Sequence, residues 1–579
     1  MRGDRVRKIF LSVLLFLTIF VFAQNFYFAN LHAHTSYSDG AGTPSEAFQH
    51  AMKYVHVQAI TDHAYYFERK LNGLDKLLLT KEQAMKSTKT GEFVALWGFE
   101  WTGGVGHISV YCTDEWISRN QVDLKGLYDW IIKKRALAQF NHPTSSFGTF
   151  NEFEYDPLAD DFINLIEVGN GSWRGRTITD EMLSNYQLAL RKGWHLGATA
   201  NQDNHRVEWG SANDTRTVIL AEELSFEAIM EALWSRRVYA SEDRNAKLIF
   251  ECNSHPMGSI LFGEKSLNFR IVLEDTEPFE EVRLVSKRGV EKVWKISERQ
   301  VQLDLVLEPR EVNEWYYVLA VQRDGDRIVS SPVWVKQSSV YAVNERTRVQ
   351  GNTVGVFFDL VNFSNDASDV RLTVKVGELE KKFEQHISGK SKKGFAVEFS
   401  GLDVGKYTVT ILLNGLVGWK TEVEIKGETV LIDISHENDH PEFLQAVKSF
   451  LEDKGFRVVF NSRYFKTVPR GELVILPFPK KGGFAEASAL NDFEMETLIN
   501  YLSTGGKILM LALPDSSIAE GFEELLKRNV PALKLVQEDN RIFITLDGQL
   551  SNSLQEKGFI FLSTDSIEEI FKWLEEILR

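Results

Sequence analysis

The sequence predicts an α/β chain: an amino-terminal block of alternating strands and helices, two β-sandwich modules, and a carboxy-terminal doubly wound α/β domain. Three observations predict it. Short apolar runs alternate with helix-like stretches over residues 24–250 and again over 428–579, whereas 251–340 and 341–427 hold strand-like runs with no helix of substance. In the first block, acidic and imidazole side chains fall at the ends of successive apolar runs, where parallel strands present ligands. A length of 579 residues is more than one core supports.

Residues 2–8 carry several positive charges and precede an apolar run over 9–22 broken only by Ser12 and Thr18. The run is shorter than the roughly 20 residues that span a bilayer. With Val21 and Ala23 at the small-residue positions it reads as a signal peptide over residues 1–23, cleaved after Ala23, with an uncleaved anchor as the alternative. The expected location is extracytoplasmic, in a periplasm. No later stretch is apolar and long enough to cross a membrane, and no lipobox cysteine is present. Cys112 and Cys252 are the only cysteines, so no disulfide framework holds the chain. A net charge of -15 disfavours a non-specific nucleic-acid partner but is compatible with a small anion held through metal ions.

The first block opens on an apolar run at 25–31 that leads into HAHTSYSDG, residues 32–40. In an extended strand His32 and His34 point to one face, which is chelate geometry, and the Ser38-Asp39-Gly40 turn can bring Asp39 back over the strand end. Thr43-Pro44-Ser45-Glu46 is a capping box with proline at the first helical position. Strand-like runs follow at 57–60, 93–97, 107–111, 136–139, 162–167 and 195–199, with helix-like stretches at 44–54, 124–134, 179–191 and 225–235. This alternation implies mainly parallel pairing. Successive strand ends carry His63, Glu100, His142, Glu167 with Asn170, and Asp203 with His205, while His107 begins a strand. Carboxylates and imidazoles repeated in this way suit zinc, manganese or iron in a two- or three-metal cluster.

Further along, 267–273, 282–287, 301–307 and 315–323 are strand-like, and Asp324-Gly325-Asp326 marks a hairpin turn between 317–322 and 328–335. A second module has strand-like runs at 354–361, 370–376, 394–399 and 405–413. Such modules space or bind more often than they catalyse. In the last domain, strands at 430–434, 456–460, 473–476, 507–513, 541–546 and 559–562 alternate with helices near 441–454, 487–503, 518–527 and 566–578. It resembles glutamine-amidotransferase-like or flavodoxin-like domains, yet neither cysteine lies in it to serve as the amidotransferase nucleophile. His436 and His440 beside Asp433, Glu437 and Asp439 are either a solvated loop or a further metal site.

HAHTSYSDG, TDH, GFE, GH, NHP and QDNH, in this order, resemble the PHP family, named for polymerase and histidinol phosphatase, and within it the CehA/McbA-type metallohydrolases. The resemblance covers somewhat under half the chain and implies a distorted (β/α)7 barrel with two or three divalent metal ions at the carboxyl ends of its strands. It implies that His32, His34 and Asp203 hold one metal, that Glu100 bridges to a second completed by His142 and His107, and that Asp39, His63 and His205 hold a third. Asp39 stands where some members carry histidine, and Asn201-Gln202-Asp203-Asn204-His205 departs from the usual small-Ser-Asp-x-His segment while keeping both ligands. The implied chemistry is hydrolysis by a metal-bridging hydroxide, with Glu100, Asp203 and His142 at its centre.

Arg174, Arg176 and Arg206 lie near the motif loops as candidate clamps for a phosphate, and Asn141 and Asn170 are candidates to hydrogen-bond substrate or a metal ligand. Asp62 and Glu167 are expected to orient histidines, and Trp101, Trp173 and Trp209 to wall a leaving-group pocket. The leading reading is an extracytoplasmic phosphoesterase acting on a small phosphate ester. A carbamate or carboxylic ester hydrolase of the CehA type is the second, and a non-enzymatic envelope- or glycan-binding protein on the same scaffold is the third.

Overall fold

The computed structural model describes residues 25–578 apart from 351, 404, 426, 466–467, 469–472, 483–487, 539–540, 547–548, 552 and 557. The expected leader, residues 1–23, lies outside the described residues.

The chain begins with β1 (Asn25–Asn30), then α1 (Pro44–Ala51), β2 (Val57–Ile60), α2 (Lys76–Ser87), β3 (Val94–Gly103), β4 (Gly106–Tyr111), α3 (Leu124–Lys134) and β5 (Ala138–Asn141). It continues through the single turn α4 (Phe150–Phe153), β6 (Ile163–Asn170), α5 (Asp180–Lys192), β7 (Gly197–Asn201), β8 (Arg216–Ala221), α6 (Phe226–Trp234) and β9 (Val238–Ser241). The capping box forms as its residues require: Glu46 N donates to Thr43 Oγ1 and Thr43 N donates to Glu46 Oε2 at 2.7 Å. Residues of β2, β5, β6, β7, β8 and β9 are buried throughout, which is why their sequences are largely apolar without a polar-out alternation, the polar side chains among them, such as Gln58, Gln139 and Glu167, being buried too.

The strands β1, β2 and β3 are parallel, as are β5, β6 and β7. The expectation of mainly parallel pairing fails at β4, β8 and β9. Only Gly104 and Val105 separate β3 from β4, too few residues for a crossover, so β4 returns antiparallel and pairs antiparallel again with β5. Strand β8 pairs antiparallel with β1 and β9. The result is a curled half-barrel. At its seam β7 meets β8 through a side chain: Thr217 Oγ1 accepts from Ala200 N and donates to Ala200 O, both at 3.0 Å. Ser331 Oγ accepts from Ala198 N at 3.1 Å one turn of the pleat away.

Lys247–Cys252, inside the stretch expected to end the first block, pairs with Leu267–Glu274 and so lies in the first sandwich. The facing sheet of that sandwich is not separate from the half-barrel. Arg327–Ser330 pairs antiparallel with β9, Ile328 opposite Ser241 and Ser330 opposite Tyr239, so one sheet of 15 strands runs through both. The cores merge accordingly: Trp315, Tyr317, Val329 and Trp334 pack with the half-barrel core, and Val218, Leu220 and Tyr239 with the sandwich core. The Asp324–Asp326 turn joins Asn313–Gln322 to Arg327–Ser330 as an antiparallel hairpin. The second sandwich faces a sheet of Val340–Gln350, Thr353–Asn362 and Ser391–Phe399 against one of Ser368–Val376, Leu379–Ile387, Gly405–Leu413 and Leu416–Ile425.

In the last domain five parallel strands run in the spatial order Phe456–Asn461, Gly427–Asp433, Leu473–Pro477, Lys507–Ala512, Phe559–Ser563, with Ser553–Glu556 antiparallel at the edge. That order, second-first-third-fourth-fifth, is the flavodoxin-like doubly wound arrangement. Arg541–Leu546, expected among these strands, pairs instead with Lys534–Glu538 and Gln549–Ser551 in a small antiparallel sheet. His436 is fully buried between carboxylates, with Nδ1 2.7 Å from Asp433 Oδ2 and Nε2 3.3 Å from Glu494 Oε1. His440 turns away, Nε2 on the Phe478 carbonyl at 3.0 Å, so the two histidines do not share a metal.

Burial disfavours the His436 cation, but Asp433 and Glu494 outweigh it and hold the imidazole at about 9 against an ordinary 6.5. A raised pKa of this kind stabilises the fold by on the order of 3 kcal/mol below pH 6.5, and the contribution is lost as pH rises through about 9. Hydrogen exchange of this domain is therefore expected to accelerate between pH 7 and pH 9.5 after correction for intrinsic rates, and His436→Gln to flatten that dependence.

Candidate metal centre

The backbone carrying HAH is clamped on both sides. Leu31 N donates to Asn201 Oδ1 at 2.7 Å, Asp203 N to His32 O at 3.0 Å, His34 N to Asn204 O at 2.8 Å and Thr61 N to Ala33 O at 2.9 Å. Extended and held in this way, His32 and His34 present their rings to one side, with the two Nε2 atoms 3.1 Å apart. Asp203 and His142 have φ of 48° and 29°, the left-handed region that non-glycine residues enter when surrounding structure imposes it, as at functional sites.

Three groups of side chains converge, each with donor atoms within 4.8 Å of one another: His32, His34 and Asp203; His32, Glu100 and His142; His34, Asp39, His63 and His205. Asp203 Oδ1 lies 3.4 Å from His32 Nε2 and 3.1 Å from His34 Nε2. Glu100 Oε1 is 3.3 Å from His32 Nε2, 3.4 Å from His107 Nδ1 and 3.4 Å from His142 Nε2, while its Oε2 is 2.6 Å from His63 Nδ1. Asp39 reaches His63 and His205 at 3.5 Å each. His34 thus faces two of the groups, where the sequence placed it in one.

These spacings fit divalent cations. Donors bound at about 2.1 Å to one ion sit ~3.0–3.4 Å from each other in octahedral or tetrahedral arrangement. The fit is also chemical: Asp203 Oδ1 and His107 Nδ1 are buried with no hydrogen-bond partner, although both are directed at other donors of the cluster.

The electrostatics are those of an acidic nest around imidazoles. Burial opposes charge on His32, yet Asp203, Glu167 and Glu100 together hold it well above the usual imidazole range. Burial likewise opposes charge on His63, but Asp39 and Glu100 raise it to about 10. His34 goes the other way, because its desolvation outweighs Asp203. Glu100 would rise on burial, but His32, His107 and His142 keep it well below the ordinary carboxyl value.

Behind the donors stands Glu167. Its Oε1 lies 3.1 Å from His32 Nδ1 and accepts from Asn201 Nδ2 at 2.9 Å, and its Oε2 accepts from His142 N at 2.7 Å and from Asn170 Nδ2 at 2.9 Å. With a proton on Nδ1, His32 offers its Nε2 lone pair to the centre. Asp62 does not orient a histidine directly: it accepts from Thr35 N at 2.7 Å, Thr35 Oγ1 at 2.6 Å and Ser38 Oγ at 2.5 Å, fixing the turn that carries Asp39.

Some of the candidate substrate contacts are engaged within the protein. Asn141 Nδ2 donates to Glu100 Oε1 and to Ser109 Oγ, both at 2.8 Å, and its Oδ1 accepts from Gln139, so its capacity is used in holding Glu100. Asn170 is buried on Glu167. Arg176 donates to the Gly325 carbonyl in the Asp324–Asp326 turn, and Arg174 and Arg206 are exposed. Trp209 is buried with Nε1 on His34 O at 2.9 Å, Trp101 is buried, and Trp173 lies 56% exposed over Gly171. Arg176→Ala is accordingly expected to change turnover less than twofold, measured as kcat/KM on whichever ester the protein accepts.

Three residues at the mouth escaped the sequence reading. Phe147, 49% exposed, packs on His142 with ring centroids 4.5 Å apart. Tyr65 lies against His63, and the Arg119 guanidinium sits 4.0 Å over the Tyr65 ring. No spacing rule marks them, because Phe147 and Arg119 reach the site from turns and Tyr65 from a single 3-10 turn after His63.

No family model and no curated protein matches this chain. Among solved structures it is similar, over 65% of its length and 96% of the other, to a two-domain protein from Bacteroides vulgatus described as containing a predicted PHP-like metal-dependent phosphoesterase, at 17% identity and a TM-score of 0.33. It is also similar, over 30% of its length and 92% of the other, to fibronectin(III)-like modules of CbhA from Clostridium thermocellum, at 14% identity and a TM-score of 0.13. A GH2 beta-galacturonidase from Eisenbergiella tayi matches over 50% of this chain and 60% of its own, at 10% identity and a TM-score of 0.16. Likenesses this loose say nothing about what this chain does.

Proposed function

We propose that the chain is an extracytoplasmic metal-dependent hydrolase of the PHP type, built on a distorted (β/α)7 barrel and acting on a small phosphate ester. One observation carries the reading: Glu100, fully buried, is approached by His32, His63, His107 and His142 at 2.6–3.4 Å, with Asp203 and Asp39 completing the groups on either side. That many converging donors have no structural purpose a simpler core would not meet. Two or three divalent ions, zinc, manganese or iron, would supply a hydroxide near neutral pH and offset negative charge as it develops on the ester. The protein's own contribution is orientation. Glu100 is the shared carboxylate, Asp203 and His142 hold their oxygens and nitrogen in imposed backbone conformations, and Glu167 and Asn141 fix His32 and Glu100 from behind.

The geometry also favours a second reading, hydrolysis of a carbamate or carboxylic ester. Arg176 is engaged elsewhere, and the mouth is rimmed by Phe147 and Tyr65, which suit an apolar acyl or aryl group better than a bare phosphate. The discriminating experiment is metal analysis of the full chain after growth with manganese, iron and zinc, followed by a substrate panel. Turnover of phosphomonoesters or phosphodiesters supports the leading reading; turnover of aryl carbamates or esters alone replaces it with the second. Less than one metal ion per chain in folded protein rejects both.

A further inference from the structure

A cavity of about 460 Å³ opens where α5 of the half-barrel, the first sandwich and the second sandwich meet. Its walls include Leu188, Arg191 and Lys192 from α5, Lys287 and Arg288 from the first sandwich, and Asn344, Trp419, Lys420 and Thr421 from the second. It is distant from the metal centre: Glu181 and Asn185 in the first half of α5 hold Ser145 and Pro143 beside His142, whereas the cavity lies at the far end of this 13-residue helix.

Its charges divide into two sets. Lys287 is buried on Glu311 at 3.2 Å and Glu345 at 2.7 Å, and Arg288 is engaged by Glu314 and Glu291, so both floor cations are already paired with carboxylates of the protein, two of which, Glu311 and Glu345, also line the cavity. Arg191 and Lys420 have no ion-pair partner among the described residues, and Lys192 has only the exposed carboxylate of Glu152 at 3.7 Å. Three cations thus face one concavity in a protein whose net charge is -15. Between them stand the half-buried indole of Trp419 and the polar side chains of Asn344 and Thr421. The volume falls within the usual range for small-ligand sites, roughly 300–1,000 Å³, and far exceeds what a single inorganic anion fills.

We propose that this interdomain cavity binds a monosaccharide-sized sugar carrying an anionic group. Arg191, Lys192 and Lys420 take the carboxylate or phosphate, the Trp419 face covers the apolar side of the sugar ring, and Asn344 and Thr421 hydrogen-bond its hydroxyls. The site needs all three domains, which explains why a half-barrel with its own ligand set is fused to two sandwiches whose surfaces cradle one helix of it.

The test is isothermal titration of the metal-loaded full chain with glucuronate, glucose 6-phosphate, glucose and sulfate. Saturable binding of one glucuronate or glucose 6-phosphate per chain is expected, at least tenfold tighter than glucose or sulfate, and whichever of the two binds more tightly identifies the anionic group. Arg191→Gln combined with Lys420→Gln should weaken it at least tenfold with metal content and Tm unchanged. Trp419→Leu should weaken the sugar at least fivefold. The proposal is overturned if neither sugar anion binds saturably, if binding survives the double substitution, if glucose binds equally well, or if sulfate does, the last meaning a simple anion site.

Discussion

Under the proposed function, Glu100→Gln is expected to lower hydrolysis about a thousandfold or more and to remove at least one metal ion per chain, while the sandwiches and the carboxy-terminal domain stay folded. The magnitude follows from how much one side chain does. Its two oxygens, fully buried, face His32, His63, His107 and His142 and accept from Asn141. A glutamine keeps the shape but presents an amide NH2 to at least one imidazole and removes the negative charge that offsets the cations. Metal analysis and circular dichroism beside kcat/KM measure the three parts separately. Full activity in the variant would refute the bridging role.

Glu167→Gln is expected to weaken metal affinity about 10–100-fold, because orienting residues behind metal-ligating histidines contribute on that scale. Five donors converge on its two oxygens: the His32 ring, the His142 backbone N–H, Asn201, Asn170 and, at 3.5 Å, Gln139. A carboxylate accepts all of them, whereas an amide nitrogen at either position meets a donor. The His32 ring then loses its fixed tautomer. Competition with a chelator, followed by activity at saturating metal, separates the two effects: kcat recovers when metal is in excess, which a residue touching substrate would not show.

The sequence showed the donors more clearly than the roles. His32 and His34 were legible from a two-residue spacing on a strand, and His63, Glu100, His142 and Asp203 from their places after apolar runs, since those are local features. Asn141 could be read as a contact to substrate or to a ligand, but not to which, because nothing local says that its amide meets Glu100 from 41 residues away. The same holds for Arg176, whose partner is a hairpin 149 residues on. Strand β8 was missed for a different reason: a short apolar run such as its 218–221 does not by period distinguish a strand from a buried helical turn. The last domain's α/β character was visible as alternation, but its strand order was not, and Arg541–Leu546 shows that alternation does not say which sheet a strand joins.

The pairing of β9 with Arg327–Ser330 bears on how the molecule comes apart. A polypeptide cut near residue 250 would leave β9 with a bare edge and strip Trp315, Tyr317 and Trp334 from the half-barrel interior, inviting intermolecular strand addition. Half-barrel and first sandwich therefore form a single foldon: on heating they lose structure together in one calorimetric peak, with slow amides distributed across both. Partial proteolysis should accordingly release the carboxy-terminal α/β domain long before it yields a free catalytic fragment.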